Sequence, residues 1–377
     1  MTDRRASAGR QAAVAQASLG FVLTSLGACL VLVARDLRLP AGRLAGLSAG
    51  VGIGLLVVGA AGPLLLRRGP HPVLRGGAIA TAAGCALFAT GSTLPVVVAG
   101  VLLLGAGAAA LILVTPALLA GPRAAERLTR VNAIGSACAV IAPIAVGALD
   151  TTGVTGRLAL LPLVVPLLAL AAARPAVAAP RPVGGRPRPD RARVARRWSS
   201  IVLAVSVEFC FTIWAVARLH DTGVPPATAA LLGSSFPAGM AIGRFLAPPL
   251  LARLPAVPAG GAVTCVAAIA VIASENTAVV TIGLVMAGIG IATLYPVTLA
   301  DFVATPGLAP HHGVSLAAVA SGTAILTAPT VLAAIAGHTG LRIAFLITIP
   351  LIGAVIVTHG RRRDTGSTDL APLQSSR

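Results

Sequence analysis

The segment Ala61-Gly62-Pro63-Leu64-Leu65-Leu66-Arg67 returns nearly unchanged as Ala247-Pro248-Pro249-Leu250-Leu251-Ala252-Arg253, and this recurrence decides the fold. Each copy leads after a short gap into a Gly-Gly-Ala step, Gly76-Gly77-Ala78 in one case and Gly260-Gly261-Ala262 in the other. A second pair agrees. Ala142-Pro143 is followed by Thr155-Gly156-Arg157-Leu158-Ala159, and Ala328-Pro329 by Thr339-Gly340-Leu341-Arg342-Ile343-Ala344. The signals keep their order in both halves, so the chain is duplicated in parallel. In so apolar a chain, parallel repeats point to a transporter with its site between the two halves.

The composition sets the environment. Hydrophobic residues make up 56% and charged residues 11% of the 377-residue chain, with a mean hydropathy of +0.92. A bilayer core requires about 17–25 apolar residues per helix. Twelve such runs are read, at 12–34, 44–66, 74–91, 95–119, 131–149, 158–173, 199–219, 227–251, 260–274, 277–300, 314–337 and 341–359. Unpaired backbone groups in lipid cost several kcal/mol each, so the runs are expected to be helices. The predicted fold class is an all-α membrane protein of two six-helix bundles.

Net charge of +18 would suggest nucleic acid in a soluble chain, but its distribution argues otherwise. All 29 basic residues are arginine. With both termini placed inside, only Arg35, Arg38, Arg43, Arg157, Arg218 and Arg342 fall on the other side. That asymmetry is the positive-inside pattern and predicts cytoplasmic termini in a plasma membrane. No nucleic-acid partner is expected. The stretch 174–197, rich in Pro, Gly and Arg, reads as a cytoplasmic linker. It divides the chain into an N-terminal half at 1–173 and a C-terminal half at 198–360, with a polar tail at 361–377. The five cysteines lie within apolar runs and read as packing residues rather than a disulfide framework.

The chemistry available is limited. A P-loop needs a lysine and the chain has none, so ATP is not the expected energy source. The six histidines fall in loops or at run ends without metal-ligand spacing, so neither metal, cofactor nor enzymatic activity is expected. Secondary transport of a small molecule remains. Glu208 is the acidic residue near the middle of an apolar run, roughly 15 Å along a helix that begins near Ser199. A charge at that depth costs on the order of 3 kcal/mol, which marks Glu208 as a proton-coupling candidate. The alternative is a carboxyl that stays protonated and only bonds a neighbouring helix. Thr212, at i+4, is placed to bond this carboxyl. Trp214 offers a surface for stacking a flat ligand or sugar. Gln16, Thr24, Thr115, Tyr295 and Thr298 are further cavity candidates, each weighed against a plain packing role. Asp301 is read as a gate or cap.

The arrangement resembles the major facilitator superfamily (MFS) over nearly the whole chain. Gly62, Leu64, Arg67 and Gly69 match the loop motif that the family carries after its second helix, while Leu66 stands at its aspartate position. The second copy keeps Arg253 and has Ala252 at the acidic place. Gly239 to Arg244 is similar to the end of the eighth helix, and Gly288-Ile289-Gly290 with Tyr295-Pro296 to the tenth. Arg127 and Asn132 sit where the loop into the fifth helix carries an arginine and an asparagine. The resemblance implies gating roles for Gly62, Arg67, Gly69, Arg127, Arg244, Arg253 and Asp301. Glu208, six residues before Trp214, is similar to the fucose-permease-like branch, which implies proton-linked uptake of a sugar or small metabolite. Proton-antiport efflux of drugs or metabolites is one alternative. A membrane sensor that binds ligand without moving it is another.

Overall fold

The computed structural model describes residues 2–39, 44–67, 69–119, 124–174, 190–251, 255–308 and 310–360. Eleven helical passages in it are at least 18 residues long and apolar enough to cross a membrane, and the passage Gly156–Ala172 is a shorter twelfth. The first five are single helices: α1 (Thr2–Asp36), α2 (Leu44–Arg67), α3 (Pro70–Thr90), α4 (Leu94–Leu118) and α5 (Ala124–Asp150). The sixth starts as a 3-10 helix at Gly156–Leu163 and continues as α6 (Val164–Ala172). Pro162 and Pro166 lack the N–H groups that an α-helix would use there, which accounts for the departure from the predicted helix at 158–173.

The second half repeats the series with more breaks. The seventh passage is α7 (Arg191–His220), whose first turn is capped by Asp190. The eighth is α8 (Pro226–Gly233) plus α9 (Ser235–Leu251), and the ninth is α10 (Ala256–Ala273). The tenth is α11 (Thr277–Ile291) plus α12 (Leu294–Val303), broken just ahead of Pro296, which cannot donate to the carbonyl of Ala292. The eleventh is α13 (Pro310–Thr339). The twelfth joins α14 (Leu341–Ala344), a 3-10 turn at Phe345–Ile347 and α15 (Thr348–Gly360).

The helix pairings are themselves duplicated. The first passage packs on the fifth, the second on the fourth, and the third on the fourth and sixth. Correspondingly the seventh packs on the eleventh, the eighth on the tenth, and the ninth on the tenth and twelfth. The two series meet along α2 with α13, α5 with α8 and α9, and α1 with α7.

Two side-chain devices recur with the pairings. Thr81 on α3 donates to the carbonyl of Gly77 at 2.8 Å, and a side chain at Gly107 of α4 would collide with its hydroxyl. Thr264 on α10 donates to Gly260 at 2.8 Å, and Gly290 of α11 meets it the same way. The structure therefore pairs Gly77, not Gly76, with Gly260, one residue away from the match read in sequence. The second device is arginine. Buried Arg157 donates to the carbonyls of Phe88 and Gly91 at the end of α3 (3.3 and 3.0 Å) and pairs with Asp36 at 3.1 Å. Arg342 donates to the carbonyls of Ile272 and Ala273 at the end of α10 and pairs with Glu275 at 2.7 Å. Guanidinium groups there satisfy carbonyls that helix ends leave open and offset the negative end of the helix dipole.

Candidate functional site

Glu208 lies on α7, half-buried, with an arginine of α9 close enough to act on its charge. That arginine is Arg244. It was expected in a gate but sits inside α9, about 10 Å along the helix from its end at Leu251. Among the described residues no ion pair joins it to Glu208. Instead Arg244 Nη1 donates to Ser136 Oγ on α5 at 2.7 Å, a contact between the two helix series. Tyr295, at the start of α12, has its hydroxyl against Ser321 of α13 and feels the charges of both Glu208 and Arg244.

The polar track continues to α1. Ser136 Oγ donates to the carbonyl of Asn132 one turn earlier at 3.1 Å, and Gln16 Nε2 donates to Asn132 Oδ1 at 2.8 Å. The other end of the Gln16 amide is buried with no hydrogen-bond partner among the described residues. Hydrogen bonds link Gln16, Asn132, Ser136 and Arg244, and Glu208, Tyr295 and Ser321 lie near enough to extend them into one band of polar groups, most of them partly exposed. It draws on the first, fifth, seventh, eighth, tenth and eleventh passages. The helix breaks at Ser234 and at Ala292–Thr293 lie on two of these passages. Broken helices are a recurrent feature of midplane sites in transporters.

Several sequence candidates have other roles. Thr212 Oγ1 donates to the backbone carbonyl of Glu208 at 2.9 Å rather than to its carboxyl, the usual back-bonding of a helical threonine. Thr115 and Thr298 are buried and likewise bond carbonyls of their own helices. Thr24 bonds Gly20 and also the carbonyl of Ala139 at 2.9 Å, which ties α1 to α5. Trp214 is buried and its Nε1 donates to the carbonyl of Pro329 on α13 at 3.1 Å. Its ring is a packing element and not a stacking surface. Gln16 and Tyr295 stay in the site.

Among the motif residues, Gly62 is packed where α2 meets α13, against Ser315, whose hydroxyl donates to the carbonyl of Gly59 at 2.6 Å. Arg67 is exposed at the end of α2, and Gly69 supplies the φ of 92° that turns the chain into α3. Arg127 is half-buried near the start of α5, and Arg253 lies outside the described residues. Asp301 sits near the end of α12. Its backbone carbonyl accepts from Arg197 Nη1 at 2.6 Å, and His359 Nδ1 lies 3.7 Å from its Oδ2. This is a local knot within the second series and is separate from the polar band. Ser136 and Ser321 gave no sequence signal, since a lone serine in an apolar run is ordinary. Arg244 did give one, because an arginine within an apolar run is costly unless it has a task.

No family model matches the chain, and no curated protein matches it. Solved structures do. The chain is similar to the inward-facing, unoccupied form of a bacterial homologue of the human lysosomal transporter Spinster, with a TM-score of 0.73 at 13% identity, covering 99% of this chain and 100% of that one. It is similar to the partially occluded inward-open form of the xylose transporter XylE from E. coli (TM-score 0.75, 10% identity, 100% and 99% covered). A mutant of the nucleoside transporter NupG aligns at a TM-score of 0.71 with 13% identity, over 95% and 99% of the two chains. The chain therefore shares the fold of these transporters, as the twelve helical runs read from the sequence led one to expect. At these identities the likeness defines the architecture, and the solute is a separate question.

Proposed function

We propose that this chain is a secondary transporter that carries a small organic solute by alternating access, with Glu208 as the group that binds and releases the coupling proton. The observation that carries the reading is the half-buried Glu208 carboxyl within a polar band built from both helix series. A carboxyl without a fixed hydrogen-bond partner is free to exchange its proton, whereas one serving only as a structural bond needs a standing acceptor or donor. Rocking of one series against the other would expose the band to each side in turn. In this reading both termini face the cytoplasm, as the arginine distribution favours, and the residues between α6 and α7 join the two halves, the predicted linker being shortened because 191–197 already belong to α7.

The test is solute accumulation by proteoliposomes under an imposed pH gradient, wild type against Glu208→Gln. Accumulation in the wild type and its loss in the variant are expected. Equal pH-driven accumulation by both proteins would remove Glu208 from the mechanism. Proton-driven pumping into inverted vesicles would instead identify an efflux carrier, and ligand binding without flux a sensor.

A further inference from the structure

Arg244 is an unusual use of charge. It lies inside a helix of the apolar interior, yet among the described residues its one hydrogen bond goes to a neutral hydroxyl, Ser136 Oγ, at 2.7 Å. A guanidinium presents a planar fork of N–H donors that matches a carboxylate through two parallel bonds. Most of that fork has no partner here. The two buried arginines differ from half-buried Arg244: Arg157 has two carbonyls and Asp36, and Arg218 has the carbonyls of Val271 and Ser274. Glu208 does not supply the missing partner, because no ion pair joins the two and the Glu208 carboxyl accepts no hydrogen bond among the described residues. Arg244 is also close enough to Glu208 to act on its charge.

We propose that Arg244 is the recognition residue for a carboxylate, so that the transported solute is a small organic acid bound through its anionic group. This rests on the transport reading above. When Glu208 carries its proton it is neutral, and Arg244 leaves the site with a positive charge that an anion completes. An arginine fork prefers a carboxylate to a hydroxyl, since a carboxylate accepts two parallel bonds and carries the opposite charge. The bound acid then draws Arg244 from Ser136, which releases a tie between α9 and α5, helices of opposite series. Binding and movement are coupled through one side chain. The unpaired end of the buried Gln16 amide and the hydroxyls of Tyr295 and Ser321 lie in the same polar band and can receive the rest of a polar acid.

The test is thermal stabilisation of the purified full chain by lactate, pyruvate and benzoate, each against its uncharged amide. Wild type, Arg244→Gln, Arg244→Lys and Glu208→Gln are compared, and each variant's unliganded melting temperature reports whether it folds. The wild type should be stabilised by at least one acid and not by the matching amide. Arg244→Gln should weaken that acid's apparent affinity roughly tenfold to a hundredfold. Arg244→Lys should keep part of it, and Glu208→Gln, whose side chain stays neutral, should flatten the pH dependence of acid binding between pH 6 and pH 8. The proposal is overturned if none of the acids stabilises the wild type, if acid and amide act alike, or if the acid's effect survives Arg244→Gln undiminished. Failure of proton-driven accumulation with these acid effects intact would overturn the coupling role of Glu208 alone.

Discussion

Arg157 and Arg342 hold equivalent places at the start of the sixth and twelfth passages, and both are spent on the carbonyls that end a neighbouring helix. Arg157→Leu removes the cation from Asp36 and from the end of α3 together. Breaking a buried pair by deleting one partner costs about 3–5 kcal/mol, so a lower melting temperature is expected. Arg342→Leu should cost less, because Arg342 and Glu275 are well exposed. Differential scanning fluorimetry of the two variants in detergent checks the order. At this scale sequence reading singles out residue types that are rare for their place. Glu208 stood out as a carboxyl deep in an apolar run. Thr212 and Trp214 were misjudged because spacing along a helix says which face a residue shares, not which acceptor it finds. The Thr212 hydroxyl bonds the backbone carbonyl of Glu208, and the Trp214 indole bonds the backbone carbonyl of Pro329 on α13. Arg244 was read through a motif match as a gating residue, although the apolar run 227–251 already placed it within a membrane helix.

The helices approach closely wherever glycine faces a neighbour's backbone. Gly107 and Gly290 sit against Thr81 and Thr264, and Gly52 and Gly322 bring α2 and α13 backbone to backbone. Gly107→Ala and Gly290→Ala are expected to destabilise by about 1–3 kcal/mol through overpacking. Gly76→Ala, which meets nothing within 4 Å, should be neutral or gain slightly from better helix propensity. Thermal melts of the three variants distinguish the cases. If Gly76→Ala proved as damaging as Gly107→Ala, the helix register described here would be wrong. The glycines were legible in sequence as a sign of close packing, but their partners were not. An alignment of repeats cannot tell Gly76 from Gly77, whereas the i+4 bond from Thr81 can. Helix breaks at Pro162 and Pro296 follow from the missing N–H, yet hydropathy alone ran smoothly through them.

The whole molecule is two copies of one packing scheme facing each other across α2 with α13 and α5 with α8 and α9. Duplication was legible because each copy must solve the same problems: a glycine-lined crossing, an arginine on a helix end, a proline in the fifth and eleventh passages. The site was only partly legible, since it arises where the copies differ. Glu208, Arg244 and Tyr295 all come from the second copy, while the first contributes the neutral Gln16, Asn132 and Ser136. In the carrier proposed above, one half supplies the ionisable groups and the other a polar surface for them to engage and leave. The most direct test of proton carriage by Glu208 is to follow lumenal pH with trapped pyranine in proteoliposomes as solute is added outside. Wild-type protein should acidify the lumen as solute enters, and Glu208→Gln should exchange solute across the membrane with no pH change. Equal acidification by both proteins would contradict the account.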